Sequence, residues 1–343
     1  MKATQQKLDA VLDDVAAHYD VGQWWDVQLA GSGFHIAAEA GEFLVTVSPA
    51  GRSDASLRFE VMLLTHLADK ALLAPRLVRT RAGRPWHRSM TGASVLVTEW
   101  VRGGAVDADL AQDRRRSVRA LAEYHAAVRS FPPRLRAEGG PTLFALERQG
   151  PTALEAFAGI SGWYLDADGR RRLRSALSYL WRQYVRLPGL LHAGGATLPR
   201  LVIHGDFGRG AVVLDSEPSG FPIDGLTGFA KARYDVRALD LAAVLKTFAR
   251  VPGGFDLDRC ADLVAAYDEV DRLSPGEVEA LPSILRVERL VRVFRLASQL
   301  EEGAPDSVIH ELITVVHNEA VHLRWLEEHE GALIQALGSA LVA

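Results

Sequence analysis

His204-Gly205-Asp206 and, further along, Ile223-Asp224 are the residues of this chain whose types and order could do chemistry. The apolar run Leu201-Val202-Ile203 reads as a short buried strand, ended by the glycine and aspartate behind it. A second run, Val212-Val213-Leu214, leads through a turn at Pro218-Ser219-Gly220 to Phe221-Pro222-Ile223-Asp224. The pattern is a hairpin-like unit with one carboxylate ahead of it and another at its end. Two acids so placed suit phosphoryl transfer: one orients or deprotonates an attacking hydroxyl, the other holds the magnesium that bridges nucleotide phosphates. The plainer reading is that both are turn and cap acids at a sheet edge.

Such a unit needs a frame. A chain of 343 residues exceeds the size at which single cores split, so two lobes are expected. With 48% hydrophobic and 24% charged residues it can bury a core and is not a disordered chain. A net charge of −4 gives no reason to expect nucleic acid as a partner. One cysteine, Cys260, excludes an internal disulfide framework and fits a reducing cytoplasm. The first residues do not read as a signal peptide, and no apolar run approaches the ~18 residues of a membrane span. A soluble, cytoplasmic protein is expected.

The periodicity predicts a helix to about Tyr19, carrying Leu8, Val11, Leu12 and Val15 on one face. Strands are predicted over Val27 to Ala30, Phe34 to Ala38 and Phe43 to Val47, with Gly31, Gly33 and Gly41 as turns. Ser53-Asp54-Ala55-Ser56 offers caps for a helix with Leu57, Val61, Leu64 and Leu67 as its stripe. Strands over Arg76 to Arg79 and Ser94 to Val101 follow, and Gly103-Gly104 marks a hinge. Helices dominate afterwards: Val118 to Val128, Arg170 to Val185, Tyr234 to Phe248, Leu257 to Val270, Ser283 to Leu300 and Ser307 to Leu341. Pro132 to Gly169 reads as a loop with a short helix around Ala153 to Gly159. The fold class is α+β, with a sheet-rich lobe over residues 1–102 and a helical lobe over 103–343 that carries the hairpin unit 201–224.

This order resembles the aminoglycoside phosphotransferase and choline kinase-like family of the bilobal protein-kinase-like fold, with type II homoserine kinases and spore-coat kinase-like proteins nearest. Its marks are Leu57-Arg58-Phe59-Glu60, Leu121-Ala122-Glu123-Tyr124-His125, His204-Gly205-Asp206, Ile223-Asp224 and Leu239-Asp240-Leu241-Ala242. The resemblance implies a nucleotide cleft between lobes. It implies Asp206 as the base, His204 as a brace for the loop, Asp224 as the magnesium ligand and Asp240 as a cap of the following helix. The nucleotide side would be Glu60, Thr46, Ser32 in the turn Gly31-Ser32-Gly33, and Glu99 at the end of its strand.

Two departures stand out within that resemblance. Thr46 occupies the place of the lysine that Glu60 should hold against the phosphates, and Ala211 the place of a second metal ligand. Losing both the lysine and the asparagine of that pattern would remove about 4–8 kcal/mol of barrier lowering unless something substitutes. Arg209 in the loop, Arg52 and Arg58 beside the helix, and Lys231 are candidate substitutes. Two function classes follow. The first is a pseudokinase that keeps the cleft as a binding module, presenting a substrate or peptide to a partner enzyme. The alternative is an atypical phosphotransferase using ATP and magnesium on a hydroxyl of a small molecule or peptide.

Other features carry bland readings beside the sharp ones. Glu60 reads equally as a surface acid paired to an arginine, His204 and His125 as packing histidines, and Trp24-Trp25 as cover for the sheet. Arg174, Arg182 and Arg186 form a solvated face over a buried stripe, or a docking surface. Arg286, Glu288, Arg289, Arg292 and Arg295 admit the same pair of readings, with binding favoured. No His/Cys cluster has zinc spacing.

Overall fold

A computed structural model describes residues 2–30, 33–48, 51–70, 72, 74–132, 165–195, 198–214, 225–297 and 306–341. The chain divides into two compact units, Met1–Gly140 with Asp206–Ala232, and Pro141–Gly205 with Arg233–Ala343. This division differs from lobes at 1–102 and 103–343, because the segment after Asp206 is tied to the sheet-bearing unit. Gly104 exchanges two backbone hydrogen bonds with Leu214, at 2.7 and 2.9 Å. At Gly103, φ is +152° and a Cβ would sit 2.6 Å from the Leu214 carbonyl oxygen, so only glycine permits the approach. The glycine pair expected as a hinge is a pinned crossing.

In the first unit, α1 (Lys2–His18) precedes a meander of β1 (Trp24–Ala30), β2 (Gly33–Ala38) and β3 (Gly41–Ser48). Then come α2 (Asp54–Asp69), β4 (Leu77–Val78), β5 (His87–Arg88) and β6 (Ser94–Glu99). The antiparallel sheet runs β1-β2-β3-β6-β4, with β5 also on β6. Alternation sends Ile36, Ala38, Phe43, Val45, Val95 and Val97 to one face, where they bury against Leu12, Val15 and Tyr19. The Tyr19 hydroxyl donates to the Val95 carbonyl at 2.8 Å, and burial pushes that phenol's pKa up. Of the two tryptophans, Trp24 packs on this core, while Trp25 is 71% exposed. α2 starts as its caps predict: Ser53 Oγ accepts from the Ser56 N–H at 3.2 Å, and Leu57, Val61, Leu64 and Leu67 are buried. α3 (Ala111–Val128) begins earlier than its apolar stripe and buries His125, the packing role expected of it.

The second unit holds α4 (Ala167–Gly195), β7 (Arg200–Ile203), β10 (Arg233–Val236) and α5 (Ala238–Phe248). The small hairpin β11 (Arg250–Val251) and β12 (Gly254–Phe255) follows, then α6 (Leu257–Asp268), α7 (Pro275–Ala297), α8 (Asp306–Glu328) and α9 (Glu330–Ser339). β8 (Val212–Val213) and β9 (Gly225–Leu226) belong to the first unit. Two helix expectations need correction. The helix read over Tyr234 to Phe248 starts with strand β10, because Tyr234 and Asp235 pair with Val202 and Leu201 of β7. The helix read over Ser307 to Leu341 breaks at His329, whose φ of −113° leaves the helical region. Most of Pro132 to Gly169, with its short helix, lies outside the described residues.

Of the late arginines read as a binding face, Arg286, Arg289 and Arg292 are spent on internal ties, and the Arg295 side chain lies outside those described. Arg286 donates to Glu330 at 2.9 Å, and Arg289 and Arg292 both pair with Glu319, at 3.1 and 2.9 Å. Glu288 pairs with Lys246 at 3.2 Å. On α4, Arg186 pairs with Glu327 at 2.6 Å. Arg237 is also buried, as a fork on Glu277 with two bonds of 2.6 Å and one of 2.7 Å to Asp271. Among the described residues no helix is long and apolar enough to cross a membrane.

Candidate functional site

β7 ends at Ile203, and the loop that leaves it is held by one carboxylate. Asp240 accepts from the His204 N–H at 2.6 Å and from the Gly205 N–H at 3.0 Å, one bond to each oxygen. A charged acceptor on two backbone donors is a strong tie. This corrects the cap expected of Asp240. The residue lies inside the first turn of α5, the capping position is Arg237, whose side chain makes no capping bond, and Asp240 binds the loop. His204 is fully buried, in keeping with a bracing residue.

The chain enters the first unit at Asp206, which is exposed and meets Lys231 at 2.8 Å. Arg209 follows, exposed, on a single turn, Arg209–Ala211, whose last residue is buried. β8 and β9 then pair, Val212 with Leu226 and Val213 with Gly225. That register brings Thr227 beside Ala211: its N–H donates to the Ala211 carbonyl at 2.8 Å and its hydroxyl to the Gly210 carbonyl at 3.2 Å. Gly228 comes next with φ +82°, a left-handed turn that side chains resist, and it redirects the chain into the turn Phe229–Lys231. Phe229 is buried with its ring 5.6 Å from Tyr124, which fixes the base from which Lys231 reaches Asp206.

Glu60 lies on the buried face of α2, so the surface reading falls. It lacks the lysine that the resemblance implied and has the arginine partner of the plainer reading: Arg52 Nη2 stands 2.6 Å from its Oε2, with side-chain exposures of 13% and 8%. Burial pushes the Glu60 carboxyl up, and Arg52 opposes that shift without cancelling it. The same guanidinium donates from Nη1 to Ser48 Oγ at 3.0 Å, from Nε to Ser56 Oγ at 3.3 Å and from Nη2 to the Ala230 carbonyl at 3.4 Å. Arg52 therefore links α2 to the turn whose next residue pairs with Asp206. Thr46 sits half-buried on β3, between Gly33 of β2 and Leu96 of β6. Glu99 ends β6 exposed, and Arg58 is exposed on α2. Ser32 and Asp224 lie outside the described residues.

Magnesium asks for near-octahedral oxygen ligands, usually one or two carboxylates with phosphate oxygens and water. Along this segment the described residues offer a methyl group at Ala211, a Thr227 hydroxyl committed to the Gly210 carbonyl, and an ammonium on Asp206. This donor set does not fit a magnesium site by itself. What the first unit does form is a carboxylate held by a cation, Asp206 with Lys231, and a buried acid–arginine pair tied to the same turn through Ala230.

Residues 30–273 match the sequence model of the Phosphotransferase enzyme family, well over half of the chain. The chain belongs to that family. Among its relatives is a homoserine kinase of Methylobacterium radiotolerans, 29% identical over 288 residues, or 81% of this chain and 82% of the relative. Another, from Methylobacterium nodulans, is 30% identical over 250 residues, 73% of this chain and 71% of the relative. Solved structures agree on the fold. An aminoglycoside phosphotransferase from Alicyclobacillus acidocaldarius covers 95% of each chain at a TM-score of 0.66 and 22% identity. A microcompartment-associated aminopropanol kinase covers 94% of this chain and 97% of its own at 0.68 and 16%. This member of the phosphotransferase family has the α+β, bilobal, kinase-like fold that its motifs implied. The sequence offered Glu60 an arginine partner without choosing between Arg52 and Arg58, and it missed the Lys231–Asp206 pair, since Lys231 stood out only as a cation close to Asp224.

Proposed function

We propose that this protein transfers the γ-phosphate of ATP to the hydroxyl of a small, amino-bearing molecule, a hydroxy amino acid being the first candidate. The observation that carries the reading is the continuous tie Glu60–Arg52–Ala230, with Lys231 on Asp206. It supplies the cation whose absence argued for a binding-only protein. Asp206, on the loop clamped by Asp240, orients the acceptor hydroxyl and takes its proton as the new oxygen–phosphorus bond forms. The bond from phosphorus to the β-phosphate oxygen breaks, and ADP leaves with that electron pair. Lys231 keeps Asp206 in one orientation until the hydroxyl replaces it. Magnesium would supply charge neutralisation of the phosphates, with Asp224 as the ligand the family pattern proposes.

The acceptor class rests on relatives named as homoserine kinases. Incubation of purified protein with Mg-ATP and homoserine, 1-aminopropan-2-ol or an aminoglycoside, with ADP followed enzymatically and product by mass, is the test. ADP release that needs the acceptor and vanishes in Asp206→Asn supports the proposal. One observation favours the second reading, a nucleotide-binding pseudokinase: the methyl of Ala211 beside Thr227. A melting temperature raised by ATP, with no turnover of any acceptor, would decide for it.

A further inference from the structure

A second cluster of chemistry-bearing side chains lies on the other side of the sheet-bearing unit's sequence, at α1 and β5. Asp14 and His18 stand one turn apart on α1, on one face. His87 comes to them from β5, whose position is fixed by pairing with Val95 of β6. One ligand atom from each residue lies within 4.8 Å of the others. We propose that Asp14, His18 and His87 bind a divalent transition-metal ion such as zinc, which ties α1 to the sheet. The proposal is independent of the phosphotransferase reading.

The distances favour a shared ion over a direct bond. Asp14 Oδ1 and His87 Nε2 are 3.6 Å apart, too long for a hydrogen bond. With metal bonds of about 2.0–2.1 Å, two ligand atoms on a tetrahedron stand roughly 3.3 Å apart, so the Asp14–His87 pair needs only a small contraction, while the His18 atom, within 4.8 Å of both, moves in by a ring rotation. His18 is set in the tautomer a metal needs. Its Nδ1 is bonded to the Asp14 carbonyl oxygen at 2.9 Å, so that nitrogen carries the proton and Nε2 presents its lone pair. The His18 and His87 rings stack, with centroids 3.5 Å apart and planes 18° from parallel. Ligation turns them out of the stack until both lone pairs meet one ion. Two histidines, one carboxylate and a water complete a four-coordinate shell.

The frame beneath is firm. The Arg81 N–H donates to the His18 carbonyl at 2.8 Å, and Arg81 Nη1 to the Ala17 carbonyl at 3.0 Å. Both tie the end of α1 to the segment that leads into β5. The Asp14 and His87 side chains are 26% and 13% exposed, so an ion can enter but is mostly shielded. Arg84, the charged neighbour of His87, opposes a cation and holds the affinity below that of a closed structural site.

The test is a zinc titration of the full chain by competition with a chromophoric chelator, with cobalt absorption as the readout of the shell. One equivalent at micromolar Kd is expected, with a melting temperature raised by zinc and restored by EDTA. His87→Gln and, separately, Asp14→Asn should weaken binding at least tenfold, and both leave residues that keep the local packing. If either folded variant binds zinc as the parent does, the ion sits elsewhere among the 11 histidines and the proposal fails. It fails equally if the parent binds only at millimolar zinc or shows no four-coordinate cobalt spectrum.

Discussion

Arg52 and Glu60 meet at 2.6 Å at the base of α2, almost entirely out of water. The acid on α2 takes its cation from the loop ahead of its own helix. One guanidinium then serves four groups, since its fork reaches Ser48, Ser56, Ala230 and Glu60 together.

Removing that cation strands a buried acid. Arg52→Met should cost about 3–5 kcal/mol. Its pH dependence identifies the stranded group. Burial already raises Glu60, and without Arg52 its folded pKa climbs further above the unfolded value of about 4.3. A raised folded pKa adds stability below the unfolded value, and that is lost as pH rises through the folded one. The penalty of the variant is therefore smallest near pH 4 and grows toward neutrality. Denaturant titrations at pH 4.5 and 7.5 check this, and equal penalties would clear Glu60.

Arg237 is a sharper case of the same physics. Its fork on Glu277 and its bond to Asp271 lie at 3% exposure or less on all three side chains. Arg237→Lys keeps the charge but not the planar fork, so one Glu277 oxygen loses its donor. A loss of about 2–3 kcal/mol is expected by chemical denaturation. A change below about 0.5 kcal/mol would mean that charge alone, without the fork, holds the three elements together.

His322 predicts an acid-labile window. It is buried, and its Nε2 accepts from Arg250 Nη2 at 2.6 Å. Burial first, then the charges of Arg289 and Arg250, lower its pKa to about 4. A histidine depressed in the folded state contributes stability above its unfolded pKa of about 6.5, and loses it as pH falls toward the folded value. On the order of 2–3 kcal/mol should disappear between pH 6.5 and 4. His322→Gln keeps an acceptor for Arg250 without titrating. Its stability profile should be flatter across that window, and an unchanged slope would assign the effect to other groups.

Asp240 should matter to turnover more than a helix cap would. Asp240→Ala leaves the His204 and Gly205 N–H groups without the acceptor seen here, at a cost of about 2–4 kcal/mol. Asp240→Asn keeps one good acceptor and should fold. If the clamp sets the approach to Asp206, the Asn variant lowers kcat about tenfold while KM holds. A fall in melting temperature with kcat intact would make the clamp purely structural.

What the sequence carried was whatever depends on local pattern. Leu57 to Leu67, the Ser53 cap and the alternation over Gly33 to Ser48 announce their elements, and Leu201 to Ile203 announces the strand ahead of Asp206. Glu60 and Asp206 could be singled out because they sit at fixed places on those elements. Their partners could not be, since a side-chain pair depends on how a turn folds back. Arg52 was visible only as a neighbour of α2, and Lys231 only as a cation near Asp224. Tyr234 to Val236 was lost to the helix behind it, because a strand that short shows no period of its own and is defined by β7. β5 failed for the same reason, and with it the meeting of His87 with α1.

The Lys231–Asp206 pair separates function from support most cleanly, because its stability value is small. Both side chains are more than half exposed, and such pairs contribute roughly 0–1 kcal/mol. Lys231→Met should thus leave the melting temperature almost unchanged. If Lys231 holds Asp206 toward the acceptor, turnover falls at least tenfold, while Asp206→Asn, which removes the proton acceptor itself, loses about 100-fold or more. Lys231→Arg keeps a cation within reach of Asp206 and should recover part of the rate. A turn acid would behave otherwise: Asp206→Asn and Lys231→Met would leave ADP release and its acceptor dependence as in the parent. A variant that loses activity only in proportion to lost folded protein would show the pair to be scaffolding, since an exposed ion pair has no other route to the rate.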